Sequence, residues 1–184
     1  MISLYEAKIT SFTQADYTKQ YSLLECAIRE KIDAKQDENS RLQSLAGYIM
    51  LYRAFDELNY EKPIKITFNQ HGKPMCDKCF FSISHSEDRV ICAVSDKPIG
   101  VDIQKIKRVK QRNEYKFFNK QECDYVNQET DGVSQRYIEV FSKKEAAIKM
   151  LGLSMSHASS VDTFSEKYCF SQKTDEGFFL CVCT

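Results

Sequence analysis

The sequence predicts an α+β protein, and three observations carry that expectation. Apolar residues recur at three- and four-residue steps over about 15–35, 41–58 and 134–151, the period of amphipathic helices. Short alternating or β-branched runs gather between 64 and 104 and return near the C-terminal end, which reads as strands. Two blocks of similar helix-then-strands content meet near Asp102, with no identity-level repeat and no low-complexity linker between them.

Taken in order, residues 1–10 alternate through Ile2, Leu4, Glu6 and Lys8 and predict a first strand. Tyr17, Tyr21, Leu24, Ile28 and Ile32 predict one helix over about 15–35. After a polar break, Leu42, Leu45, Ala46, Ile49, Met50, Ala54 and Phe55 mark a stronger helix, with Ser40 as its expected N-cap. Ile64 to Phe68 reads as a short strand, and Asn69-Gln70-His71-Gly72-Lys73-Pro74 as a loop. Phe81-Ser82-Ile83-Ser84 alternates, Val90 to Val94 is compact and β-branched, and Glu87-Asp88-Arg89 and Asp96-Lys97-Pro98 supply turns. Further on, Asn119 and Glu122 form a capping-box pattern, and Gly152 ends the long helix that begins near residue 134. The tail alternates on both sides of Asp175-Glu176-Gly177, a hairpin pattern.

Asp102 falls on a third strand of the central stretch, between Val101 and Ile103, whose side chains point to the opposite face. Strands are depleted in Asp because its side chain competes for backbone hydrogen bonds. An Asp two positions after a glycine that admits close backbone approach suggests a ligand or metal position, although an exposed strand Asp is the plainer reading.

Composition bounds the function. Lys plus Arg and Asp plus Glu each number 26 in 184 residues, so no global attraction to nucleic acid or membrane follows and any polyanion site is local. No apolar run reaches the roughly 20 residues of a membrane helix and the N-terminus has no basic leader, so a cytoplasmic protein is expected. Among eight cysteines, Cys76 and Cys79 form a Cys-x-x-Cys, while Cys181 and Cys183 have the wrong spacing for a second zinc arm. Free thiols are the expectation, with zinc or redox work at Cys76 and Cys79 the sharper alternative.

On the long helix Glu145 and Lys149 stand one turn apart, a spacing common among surface ion pairs. Ala146 and Ala147 leave room for close approach, and Phe141, Ile148 and Leu151 make the helix largely buried, where an unpaired Glu is costly. Asp102 and Glu145 together suit a hard divalent cation, which takes one or two protein carboxylates and completes its shell with water and phosphate oxygens. Arg29, Lys31, Lys35, Arg41, Lys73, His85 and Lys149 would make a phosphate pocket if the fold brought them together. There is no nucleotide-binding glycine loop and no Ser/His/Asp or Cys/His nucleophile arrangement.

The order Gly72-Lys73-Pro74, Phe81-Ser82-Ile83-Ser84-His85-Ser86, Ile99-Gly100-Val101-Asp102-Ile103, Phe117-Phe118…Glu122 and Phe141-Ser142-Lys143-Lys144-Glu145-Ala146…Lys149 resembles the 4′-phosphopantetheinyl transferase superfamily. The likeness is to its larger, surfactin-synthetase-activating type. Arg29-Glu30-Lys31 and Gln43-Ser44-Leu45-Ala46-Gly47 resemble the family's N-terminal block. The resemblance implies two similar α+β subdomains, here 1–99 and 100–184, related by a pseudo-twofold with coenzyme A between them. It implies transfer of phosphopantetheine from coenzyme A to a carrier-protein serine, with release of 3′,5′-ADP. It places Asp102 and Glu145 on magnesium ligands (manganese as the substitute), Lys149 near the phosphates, and Glu145 or a water it holds as general base. Lys31, Ser44, Lys73, Pro74, Ser84 and His85 fall on coenzyme-binding positions. Where the family often has a Glu, Gln104 stands here as a neutral ligand or one acting through water. Phe141 replaces a common Trp. A homologue that binds coenzyme A and a carrier without turnover is the alternative that Gln104 raises. Lys105, Lys107, Arg108, Lys110 and Arg112 read as a docking surface for an acidic carrier or as a solvated loop. Because one chain would hold both cleft walls, a monomer is expected.

Overall fold

The computed structural model describes residues 1–108 and 112–184, the side chains of 112–114 excepted. It is a mixed α+β structure. In chain order the elements are β1 (Ile2–Lys8), α1 (Gln14–Leu23), α2 (Cys26–Asp33), α3 (Glu38–Glu57), β2 (Ile66–Phe68), β3 (Pro74–Cys76), β4 (Phe80–Ser86), β5 (Arg89–Ser95) and β6 (Gly100–Lys105). They continue with α4 (Lys120–Val126), α5 (Val133–Leu151), β7 (Phe170–Asp175) and β8 (Phe178–Cys183). No helix among the described residues is long and apolar enough to cross a membrane.

Period two explains how the layers stack. β5 lies between β1 and β4, antiparallel to both. Its Val90, Cys92 and Val94 join the core formed with α1–α3, where Leu51, Ala54 and Phe55 are buried. Its Ile91 and Ala93 face the other way, onto Val101, Ile103, Phe178, Leu180 and Val182 of a second sheet ordered β6-β8-β7. The opposite face of β8, through Phe179, Cys181 and Cys183, packs with α5. Every residue of β5 and β8 is buried because each strand has a core on both faces.

β4 and β6 are joined by side chains. Ser82, Ser84 and Ser86 accept hydrogen bonds from the backbone amides of Val101, Ile103 and Lys105, at 3.0, 3.3 and 3.0 Å. Three hydroxyls thus satisfy three donors at the seam between the sheets, each contributing about 1 kcal/mol. Arg89 is a second tie. It begins β5, where the sequence suggests turn, and binds Glu6 of β1 and Glu176 in the β7–β8 turn while lying over the Phe178 ring.

Several local expectations are corrected. The helix expected over 15–35 is two helices, because Leu24 and Glu25 are extended and Glu25 Oε1 accepts the Ile66 amide at 3.3 Å. Asp37, not Ser40, caps α3: its Oδ1 accepts the Ser40 amide at 2.8 Å. Pro74, expected in a loop, opens β3, paired with β2 in a small hairpin. The capping box at Asn119 and Glu122, the Gly152 stop and the tail hairpin stand as expected.

Candidate active site

Gly100 sets the site's depth. A Cβ there would lie 1.8 Å from the Ala146 carbonyl oxygen and 2.5 Å from the Met150 amide, so only glycine lets β6 rest directly on α5. Two residues on, Asp102 is 1% exposed and faces the helix side of its sheet. Its Oδ1 accepts hydrogen bonds from Ser84 Oγ at 2.8 Å and Lys149 Nζ at 2.7 Å, and its Oδ2 from Gln104 Nε2 at 3.2 Å. Lys149 also donates to Ser84 Oγ at 2.9 Å and lies 3.5 Å from Glu145 Oε2. Three elements, β4, β6 and α5, therefore converge on one ammonium shared by two carboxylates.

The electrostatics follow from that sharing. Burial pushes the Glu145 carboxyl upward; Lys149 opposes the shift and the Asp102 charge adds to it. Burial works against the Lys149 charge, but Asp102 and Glu145 outweigh it and hold the ammonium above its ordinary value. His85, next to Ser84, is pulled down to about 4, first by burial and then by the charges of Lys35 and Lys149. Neutral at pH 7, it presents a hydrogen-bonding ring rather than a cation.

A second group of predicted residues gathers where β2–β3 meets the end of α5. Asn69 donates to the Gly152 carbonyl at 2.6 Å and accepts the amides of His71 and Lys73, each at 2.9 Å. Gly152 fits because its φ is +69° and a Cβ would stand 2.9 Å from Asn69 Nδ2. Lys73 reaches the Met150 carbonyl at 3.4 Å, and burial pushes its ammonium down to about 8. Lys31, from α2, lies over the Phe68 ring at 4.4 Å and beside Gly72. Lys73 and Pro74 line both a cavity of about 420 Å³ and a smaller one of about 240 Å³ that reaches Ser82 and Lys149. Ser44 is half-buried on α3 and is not part of the Asp102 hydrogen-bond cluster. In the basic segment Lys105 binds the Glu176 carbonyl at 3.2 Å and Lys107 lies 3.7 Å from Glu87; Lys110 is outside the described residues, as is the Arg112 side chain.

The chain is also similar to known proteins. A family model described as the 4′-phosphopantetheinyl transferase superfamily matches residues 98–177, the stretch from β6 through the β7–β8 turn. Over that stretch the chain is similar to the 4′-phosphopantetheinyl transferase superfamily. It is 33% identical over 89 residues to the 4′-phosphopantetheinyl transferase gsp of Aneurinibacillus migulanus, covering 47% of this chain and 38% of that one. To the 4′-phosphopantetheinyl transferase Sfp of Bacillus subtilis it is 30% identical over 140 residues, 65% and 62% of the two chains. To the ffp protein of Bacillus subtilis it is 29% identical over 160 residues, 83% and 70%. The chain thus spans about half the length of several curated superfamily relatives it matches.

The donor set suits a hard divalent cation. Asp102 and Glu145 are hard oxygen donors aimed at one point, and that point already holds a positive charge, the Lys149 ammonium. One buried pair escapes a sequence reading: Lys144 and Glu122, both 0% exposed and 2.8 Å apart. Glu122 reads locally as a cap, and no local signal links it to a lysine 22 positions later on another helix.

Proposed function

We propose that this protein moves the 4′-phosphopantetheine arm of coenzyme A onto a serine hydroxyl of an apo acyl- or peptidyl-carrier protein, releasing 3′,5′-ADP, as a holo-acyl-carrier-protein synthase does. The observation that carries this reading is the convergence of Asp102, Glu145, Lys149 and Ser84 beside the Lys73 hairpin. Similarity to the superfamily model and to relatives named 4′-phosphopantetheinyl transferases supports it.

Phosphoryl transfer asks a protein mainly for positioning and charge neutralisation. Magnesium, or manganese in its place, held by Asp102 and Glu145 with Gln104 alongside, would supply positive charge to the diphosphate. Lys149 retains its own positive charge for the leaving nucleotide. Ser84 and Gln104 fix the Asp102 carboxylate, so its two oxygens do not rotate as charge develops. Glu145, or a water it holds, takes the proton of the attacking serine. Lys31, Lys73, Pro74, Ser44 and neutral His85 bind the coenzyme. In this reading the cleft lies between subdomains 1–99 and 100–184, related by a pseudo-twofold, and the protein acts as a cytoplasmic monomer. Lys105, Lys107 and Arg108 receive the acidic carrier.

Intact-mass analysis of a panel of apo-carriers, after incubation with the protein, coenzyme A and magnesium, tests the proposal. A gain of one phosphopantetheine on at least one carrier is expected. Unchanged mass across fatty-acid, polyketide and peptide carriers, with coenzyme A still bound, would establish a binding homologue instead.

A further inference from the structure

Cys76 and Cys79 have no part in the transfer reading, yet their surroundings are specific. Cys76 ends β3, opposite Ile66 of β2, and Cys79 immediately precedes β4. Their Sγ atoms lie 3.4 Å apart, in contact but well beyond the roughly 2.05 Å of a disulfide bond. Both are half-buried, and both line the 420 Å³ cavity together with Lys73, Pro74, Phe80 and Phe81. A small molecule entering that cavity meets both sulfurs.

The local fold activates one of them. The Cys79 thiol hydrogen-bonds the Cys76 sulfur, and the Lys78 and Cys79 amides add to this, pushing Cys76 down to about 6 despite its burial. The same contact, with burial, pushes Cys79 up. Capping Cys76 removes that sulfur's share of the upward push, while burial's share remains. Among the described residues no group of three His, Cys, Asp or Glu side chains is arranged to hold a metal. Cys92 and Cys183, in contrast, are buried and pushed up to about 12.

We propose that Cys76 and Cys79 form a thiol–disulfide exchange site that takes low-molecular-weight disulfides from this cavity. The Cys76 thiolate attacks one sulfur of RSSR; the S–S bond breaks, a Cys76–SR mixed disulfide forms, and RS⁻ leaves to take a proton from solvent. Cys79 gives up its proton to solvent and attacks Cys76 Sγ. The second RS⁻ departs, is protonated, and the Cys76–Cys79 disulfide closes. Counted from the dithiol, the protein loses two electrons and two protons, one of them already released when Cys76 ionised, and RSSR becomes two RSH. The new bond ties β3 to β4 at the neck of the hairpin that carries Asn69 and Lys73 to the end of α5. Oxidation therefore fixes one wall of the cavity.

Glutathione disulfide is the probe. The intact chain is incubated with it, alkylated, digested and mapped by mass. Expected is loss of alkylation at Cys76 and Cys79 together, with a mass lower by about 2 Da at that segment and recovery in dithiothreitol. In Cys79→Ser, which removes the thiol that chiefly lowers Cys76, the adduct is expected to stay on Cys76; in the wild-type chain the first attack on the disulfide should be about threefold faster than by a thiol of ordinary pKa. The thiolate fraction gains about 30-fold, and the lower nucleophilicity of an acidic thiol takes back about tenfold. If Cys76 and Cys79 remain alkylatable in the wild-type chain, or if Cys79→Ser carries its adduct only on exposed Cys26 or Cys169, the proposal fails. Neither result touches carrier modification, so the two readings stand or fall separately.

Discussion

Helix α5 carries two lysines five positions apart, and their surroundings separate a structural ion pair from a reactive one. Lys144 is sealed. Its three ammonium protons meet Glu122 Oε2 and the carbonyls of Ala158 and Val161. Glu122 is equally filled, accepting the amides of Asn119 and Thr163 and the Thr163 hydroxyl. Lys149 is open, with its side chain 26% exposed. It is shared by Asp102, Ser84 and, more loosely, Glu145, whose own side chain is 18% exposed. A saturated pair holds α4 and the 158–163 segment to the helix and leaves no valence for a ligand. An unsaturated one leaves carboxylate oxygens available in a cleft.

The sharpest break of that contrast is Lys144→Ala. It strands the Glu122 charge in a dry site, so a loss of about 3–5 kcal/mol in unfolding free energy is expected, read by denaturant titration. A loss below about 1 kcal/mol would show that Glu122 finds water or another donor. Next is Gly100→Ala. Its Cβ meets backbone atoms of α5, so the helix must retreat from β6. Overpacking of this kind costs about 1–3 kcal/mol. Carrier modification should fall more steeply than stability, because Asp102 and Lys149 separate as the helix moves. Equal falls in both would mean that the site tolerates the shift.

How much of this was legible beforehand follows the range of each interaction. The β4–β5–β6 stretch, the Asn119 cap and the Gly152 stop rest on neighbours within a few residues, and the sequence carries them openly. Burial logic and family resemblance mark Asp102, Glu145 and Lys149 as chemistry-bearing, and the structure brings their side chains together. The serine seam was not legible. Ser82, Ser84 and Ser86 read as the polar face of a strand, and only the second sheet, 19 residues on, turns their hydroxyls into acceptors for its backbone amides. β1 misleads for a similar reason. Ile2 and Leu4 look like its inner face, yet Tyr5 and Ala7 pack on the core and both Ile2 and Leu4 are exposed. Lys144 was hidden beside Glu145 because partners 22 residues apart leave no local pattern.

Glu145→Ala sharpens the comparison from the open side. This carboxylate makes one 3.5 Å contact and is pushed upward by burial, so deleting it should change stability by less than about 1 kcal/mol. Transfer to a carrier should nevertheless be lost, by at least about 100-fold. A variant that unfolds would make Glu145 a structural residue like Glu122, and near-normal turnover would remove it from the reaction.

Lys73 gives the smallest and most specific effect, because it is neither sealed nor shared. Its ammonium has one carbonyl at 3.4 Å, and burial holds it at about 8 against an ordinary 10.5. The unfolded chain therefore keeps that proton to higher pH than the folded one, so stability rises as pH climbs from about 8 towards 10.5. Lys73→Met should flatten that rise in a pH series of thermal melts. Binding runs in the opposite direction. A phosphate beside Lys73 draws the proton back, so coenzyme A affinity falls above pH 8 while each binding event takes up part of a proton. Lys73→Arg keeps its charge throughout that range, and its affinity should stay level with pH and its proton uptake should vanish. Calorimetry in two buffers of different ionisation heat measures that uptake directly. Identical proton counts in wild type and Lys73→Arg would move the phosphate contact away from this hairpin, leaving Asp102, Glu145 and Lys149 to define the site alone.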